Sequence, residues 1–287
     1  MSKAIALLLV VTGCSLDRNH SIEAMNRGVE FGRQKLFDSA IKEFQTATAL
    51  DPTNAAAFYN LGVVYKDKKA WPEAAKAFSE AGKIDSTNPA LQYELGNALF
   101  EDKKLAEAQK AFEDAIKLDP KLYKAHYRLG VVMQTLAPDS QPTEEQAKNK
   151  AADIEYRKAI EANPRFVQAY VKLGDLYLDN EYDKEAAQVF RNAIVVDDHN
   201  ADAHMGLGEA LENQKQYEEA IKEFQAARDI DSRQFLAVYN MGHTYKLLGD
   251  KKKAKEMLQT FVKDYAATSA PELVRVANDE LYALDAP

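Results

Sequence analysis

The sequence predicts an all-α solenoid of about seven helix hairpins closed by a C-terminal capping helix. Four recurring series of residues predict it. A glycine recurs at Gly28, Gly62, Gly96, Gly130, Gly174, Gly208 and Gly242, at intervals of 34, 34, 34, 44, 34 and 34. Twelve residues after each glycine, or later by an insertion in the fourth case, comes an alanine: Ala40, Ala74, Ala108, Ala152, Ala186, Ala220 and Ala254. Four residues on stands a large apolar side chain (Phe44, Phe78, Phe112, Tyr156, Phe190, Phe224, Leu258), and three beyond that another alanine (Ala47, Ala81, Ala115, Ala159, Ala193, Ala227), a run that Phe261 breaks. Spacings of four and three put these residues on one helical face. Small residues let the glycine-bearing helix approach closely, and the aromatic fills the space beside the crossing. Each hairpin is left with an apolar flank that only its neighbour covers, so the hairpins must stack.

Taken in order, the chain starts with a basic n-region (Lys3), eight apolar residues from Ala4 to Val11, and Thr12-Gly13 before Cys14, the sole cysteine. That is the layout of a secretory signal. Val11-Thr12-Gly13-Cys14 resembles the lipobox of bacterial lipoproteins, which implies cleavage of residues 1–13, diacylation of Cys14 and a lipidated linker over 14–20. Ser15 in the following position implies, by the same resemblance, the outer membrane facing the periplasm.

The repeats run over 21–54, 55–88, 89–122, 123–166, 167–200, 201–234 and 235–268. The fourth carries ten extra residues in or near Thr135 to Gln146. Pro138, Asp139, Ser140 and Pro142 indicate a loop, and Thr143-Glu144-Glu145 the start of the next helix. In residues 269–287, Leu273, Val276, Ala277 and Leu281 share one face of an amphipathic capping helix. The period of 34 and the co-recurring positions resemble the tetratricopeptide repeat (TPR). The resemblance covers residues 21 to 268 and implies a right-handed superhelical solenoid whose first helices line a concave groove.

By the same resemblance, groove positions fall at Tyr59, Asn60, Tyr93, Asn97, Lys124, Tyr127, Arg128, Lys172, Tyr239 and Asn240. At the fifth repeat position four of seven residues are tyrosine (Tyr59, Tyr93, Tyr127, Tyr239), a partial ladder able to stack on a peptide; tyrosine is also common there in the family. Lys124 and Arg128 look like the last pair of the carboxylate clamp of chaperone-binding members, but Tyr59, Val63 and Glu94 replace the rest of it. A clamp is therefore rejected, leaving a locally basic stretch of Asn97, Lys124, Arg128 and Lys172. Asp202, Glu209 and Glu212 in the sixth repeat predict a change of sign along the groove.

Composition narrows the function. Hydrophobic residues at 46% support a packed core, and 37 basic against 45 acidic residues (net −8) argue against nucleic acid. No HExxH, CxxC, GxxxxGK[ST] or GxSxG pattern occurs, and His199 with His204 falls in a turn and a packed helix, so neither metal nor cofactor is expected. The expectation is a non-catalytic scaffold binding an extended or helical protein segment, held to the membrane by its lipid. Pilotins that bring secretins to the outer membrane in type IV pilus biogenesis, adaptors for cell-wall hydrolases, and a cytoplasmic co-chaperone or regulatory adaptor are the readings left open.

Overall fold

The computed structural model describes the backbone of residues 2–136, 142–265 and 271–285, and side chains of 16–136, 146–264 and 271–285. Among the described residues there are fifteen helices and no strand: α1 (Ser2–Arg33), α2 (Phe37–Leu50), α3 (Ala55–Asp67), α4 (Trp71–Ile84), α5 (Pro89–Glu101), α6 (Leu105–Leu118), α7 (Tyr123–Leu136), α8 (Pro142–Ala162), α9 (Val167–Asp179), α10 (Asp183–Val196), α11 (Ala201–Asn213), α12 (Tyr217–Ile230), α13 (Phe235–Leu248), α14 (Lys251–Tyr265) and α15 (Pro271–Asp285). The fold is all-α, as the sequence predicts. It divides into two compact units, Met1–Glu155 and Tyr156–Pro287.

The turns explain why hairpins form. Lys35, Lys69, Lys103, Glu181, Lys215 and Gly249 each follow a first helix with φ between 59° and 89°. In each case two hydrogen bonds close the helix end, as where Lys104 N donates to Leu99 O (2.9 Å) and Lys103 N to Phe100 O (3.0 Å). This is the Schellman arrangement, and it turns the chain back on itself. Between hairpins, the side chains of Asp51, Asp119, Asn163, Asp197 and Asp231 accept from the backbone N–H two residues on. Asn54, Asn88 and Asn200 then cap α3, α5 and α11.

Inside each hairpin the glycine and the aromatic are one device. A Cβ at Gly62 would lie 2.7 Å from the Phe78 ring, at Gly96 2.6 Å from Phe112, and at Gly208 2.4 Å from Phe224, closer than carbon atoms approach. All three rings are fully buried. In unit 1 Phe78 and Phe112 join Leu99, Leu129 and Val132, while Phe44 packs with Leu61 and Val64; in unit 2, Phe190 and Phe224 pack with Met241, Leu258 and Phe261. The seventh hairpin swaps sizes: Leu258 stands in the aromatic position and Phe261 in the alanine position, both buried, so volume is kept while the ring moves one turn.

Three segments extend the sequence reading. Residues 16–20, expected as linker, continue α1 as helix. The insertion expected around Thr135 to Gln146 is taken up in part by α8, which begins at Pro142 and has 21 residues where most other second helices have 14; residues 137–141 lie outside those described. The capping helix is α15, whose Ala277 and Leu284 are buried and whose Asn278 is exposed where first helices place glycine. A polar side chain there fits an end face rather than another close crossing.

Candidate functional site: the shared face of the first helices

In unit 1, side-chain contacts run from one first helix to the next, and several expected groove residues stand on these helices. Tyr59 of α3 lies 5.8 Å from Phe78, tilted by 53°, and Tyr93 of α5 lies 6.0 Å from Phe112 at 52°. The tyrosine rings therefore brace the core as well as line the face. Lys66 of α3 and Glu94 of α5 form an ion pair at 2.8 Å. Arg128 of α7 sits 5.7 Å over the Phe100 ring of α5, and exposed Lys124 lies 5.9 Å from the Tyr123 ring. Asn60 and Tyr127 are half-buried beside them. Asn97 Oδ1 is buried with no hydrogen-bond partner. Across α3, α5 and α7 the charges balance, Lys66, Lys124 and Arg128 against Asp67, Glu94 and Glu101.

The face of unit 2 is acidic. Helices α9 and α11 carry Asp175, Asp179, Asp202, Glu209 and Glu212 against Lys172. Lys172 is not available as part of a basic stretch, because its ammonium pairs with Asp175 at 2.9 Å. Burial pushes the Asp175 carboxyl above the usual carboxylate range despite Lys172, and Asp179 and Asp202 add to the rise. Partial desolvation, then the charge of Asp175, also raises Glu209. Asn240 donates to Glu209 at 3.4 Å, and the Thr244 hydroxyl is held between Glu212 and the Asn240 carbonyl.

The far end of unit 2 is tied off by α15. Its Glu280, 8% exposed, accepts from Tyr239 (3.0 Å), His243 Nδ1 (2.9 Å) and Lys246 (3.2 Å), three residues on one face of α13. Burial alone would raise the Glu280 carboxyl, but hydrogen bonds from His243, Lys246 and Tyr239 hold it below its ordinary range. The Tyr239 hydroxyl is pushed up to about 12, by burial first and then by the Glu280 charge. Tyr239 is thus already engaged within the chain. Sequence reasoning missed Glu280, whose position has no recurring counterpart, and Gly206, where a Cβ would meet the buried Phe190 ring at 2.2 Å.

Two expected features need placing. The Cys14 side chain lies outside those described, and no described helix is long and apolar enough to cross a membrane. His199 and His204 go separate ways: His199 meets Asp198 at 2.7 Å on an exposed turn beside Asp197, whereas His204 turns inward to Glu223.

The TPR repeat family matches residues 33–69 and 96–136, and two tetratricopeptide repeat families match 145–195 with 174–234, and 237–263. Human protein O-mannosyl-transferase TMTC3 is 28% identical over 123 residues, 42% of this chain and 13% of that protein. Its mouse counterpart is 33% identical over 97 residues, 31% and 10%. The chain therefore spans only a small part of the curated relatives it matches. Among solved structures, MamA is similar at 25% identity and a TM-score of 0.56, over 63% of this chain and 94% of that one. YrrB, described as a TPR protein with an unusual peptide-binding site, gives 23% and 0.57 over 71% and 99%. A tetratricopeptide repeat protein from Parabacteroides merdae gives 15% and 0.65 over 90% and 99%, a likeness of fold alone. With its recurring glycine and aromatic packed as one unit and its repeats matched along most of its length, the chain belongs to the tetratricopeptide repeat family.

Proposed function

We propose that the chain is a non-catalytic scaffold that holds a segment of another protein along the first-helix face. A diacyl group on Cys14 keeps it on the periplasmic side of a bacterial outer membrane. There it acts as an assembly factor or adaptor for a membrane partner, in the manner of a secretin pilotin.

The observation that carries the binding half is Asn97. Its Oδ1 has no hydrogen-bond partner among the described residues, a state that costs about 1–3 kcal/mol; the residue is half-buried, and turning the amide outward would let the main-chain N–H of an extended segment satisfy it. Tyr93 on the same helix and Tyr59 on the preceding first helix supply rings, and Arg128 a planar cation already oriented by Phe100. YrrB, with its described peptide-binding site, supports the reading by analogy. On unit 2 the carboxylates of α9 and α11 favour a segment bearing lysine or arginine.

The anchoring half rests on Val11-Thr12-Gly13-Cys14. Six extended linker residues would reach ~20 Å; as helix, at about 1.5 Å per residue, they reach about 9 Å. Such a tether keeps the binding face near the lipid surface and favours a partner that inserts there. Two experiments separate the halves. Labelled fatty acid incorporated by the wild type and lost in Cys14→Ala supports the anchor, and no label in the wild type contradicts it. Replacing Asn97 by Leu should weaken capture of the partner about tenfold without lowering stability; unchanged capture removes Asn97 from the site.

A further inference from the structure

His204 on α11 faces an acceptor at each ring nitrogen. Nδ1 lies 2.7 Å from Glu223 Oε2 on α12, and Nε2 lies 3.3 Å from the Asp198 carbonyl in the turn before α11. A neutral imidazole has one N–H and can serve one of these acceptors; the imidazolium has two and serves both. The charged groups acting on the ring, Glu223 from α12 and Asp198 from the turn, are both acidic. The arrangement recurs in unit 1. His126 Nδ1 lies 2.6 Å from Glu155 Oε2 and Nε2 lies 3.0 Å from the Pro120 carbonyl, with the His126 side chain 4% exposed. The register is the same in both places: each histidine precedes its repeat glycine by four residues, each glutamate directly precedes the core aromatic (Tyr156, Phe224), and each carbonyl precedes its histidine by six.

We infer that His204 is a protonation-dependent clip, which fastens α11, α12 and the turn from the preceding hairpin into one piece when its ring is doubly protonated and gives up one of the two fastenings when neutral. The clip lies where one repeat meets the next, and the nearest-neighbour interface is where a repeat array holds its cooperativity. It depends on the hairpin stack and not on the identity of any partner. It does, however, steady α11, the helix that carries Asp202, Glu209 and Glu212. The hydrogen bond from His204 to Glu223, ahead of the opposing effect of burial, raises the His204 ring above its ordinary value. The clip is then fully closed below the ordinary histidine value of about 6.5. It opens as pH rises through the higher folded-state value.

Long-range proton–nitrogen spectra of the histidine rings in the full chain, from about pH 5 to 9, test this directly. We expect His204 to show the imidazolium pattern, with both nitrogens protonated, at about pH 6.5 and to titrate above that. Glu223→Gln, which keeps an acceptor and removes the charge, should weaken proton affinity at His204 at least threefold, a shift of about half a pH unit. Amide protection over residues 201–213 should fall through the wild-type titration and shift with it in the variant. A wild-type ring that is a single neutral tautomer at pH 6, or a titration unchanged in Glu223→Gln, overturns the inference. The wild-type spectrum decides by itself if the variant does not fold.

Discussion

The face of α3, α5 and α7 and the face of α9 and α11 rest on the same frame and present different chemistry. In unit 1 three basic residues meet three acidic ones, Lys66 pairs with Glu94, and the Asn97 oxygen is left without a hydrogen-bond partner. In unit 2 five carboxylates stand on α9 and α11 against one lysine; Asp175 is raised by burial and then by Asp179 and Asp202, and Glu209 by burial and then by Asp175. The lesson is physical: packing requires the same volumes every repeat, whereas a solvent-facing position is free to differ. One scaffold can therefore hold two binding chemistries, and changes to the frame should act alike in both units while changes to the face should not.

The largest test is of the frame. Phe112→Ala and Phe224→Ala each empty a fully buried ring site and should each cost about 3–5 kcal/mol in urea denaturation; costs differing by more than about 2 kcal/mol would mean the units are not equivalent. Next comes the end of unit 2. Glu280→Ala removes the acceptor shared by Tyr239, His243 and Lys246 and should cost about 1–3 kcal/mol, with amide protection lost in α13 and α15 and retained in unit 1.

Smaller effects sharpen the contrast. Lys103 in unit 1 holds a left-handed φ of 63°, the conformation Gly249 adopts in unit 2 at 89°. Lys103→Gly should stabilise by about 0.5–1 kcal/mol, and Gly249→Lys should destabilise by about the same, because a Cβ is penalised there. Least of all, Glu209→Gln should stabilise the chain at pH 7 by a few tenths of a kcal/mol, since the side chain is only partly desolvated and solvent screens the rest. The sign follows from its raised pKa: the folded state disfavours the charge, so the gain present at neutral pH vanishes as acid protonates the wild-type carboxyl. Urea melts at pH 7 and at about pH 4 measure both ends.

The frame was legible from one sequence because its residues recur. Gly62 and Phe78 are needed together, as a Cβ at one overlaps the ring of the other, so both appear at the same offset in hairpin after hairpin. The left-handed turn residue was not legible, since five of its six occurrences are lysine or glutamate, with nothing in composition to mark them. The binding face was legible as positions and only partly as chemistry. Tyr59, Tyr93 and Arg128 each pack on a phenylalanine, at Phe78, Phe112 and Phe100, whereas Lys172 is bound to Asp175 and Tyr239 to Glu280. Those partners come from non-recurring residues, and Glu280 comes from a helix outside the repeat period altogether.

The central claim is that the first-helix face, and not the insertion in the fourth repeat, holds the partner. Photocrosslinking in the native host measures it most directly, with a photoreactive residue placed in turn at Tyr93, Tyr127, Ser140 and Gln225, the last an exposed-side residue of α12. The account predicts one discrete crosslinked protein from Tyr93 and Tyr127, diminished by Asn97→Leu, and none from Ser140 or Gln225. Crosslinks concentrated at Ser140, with Tyr93 and Tyr127 silent, would contradict it.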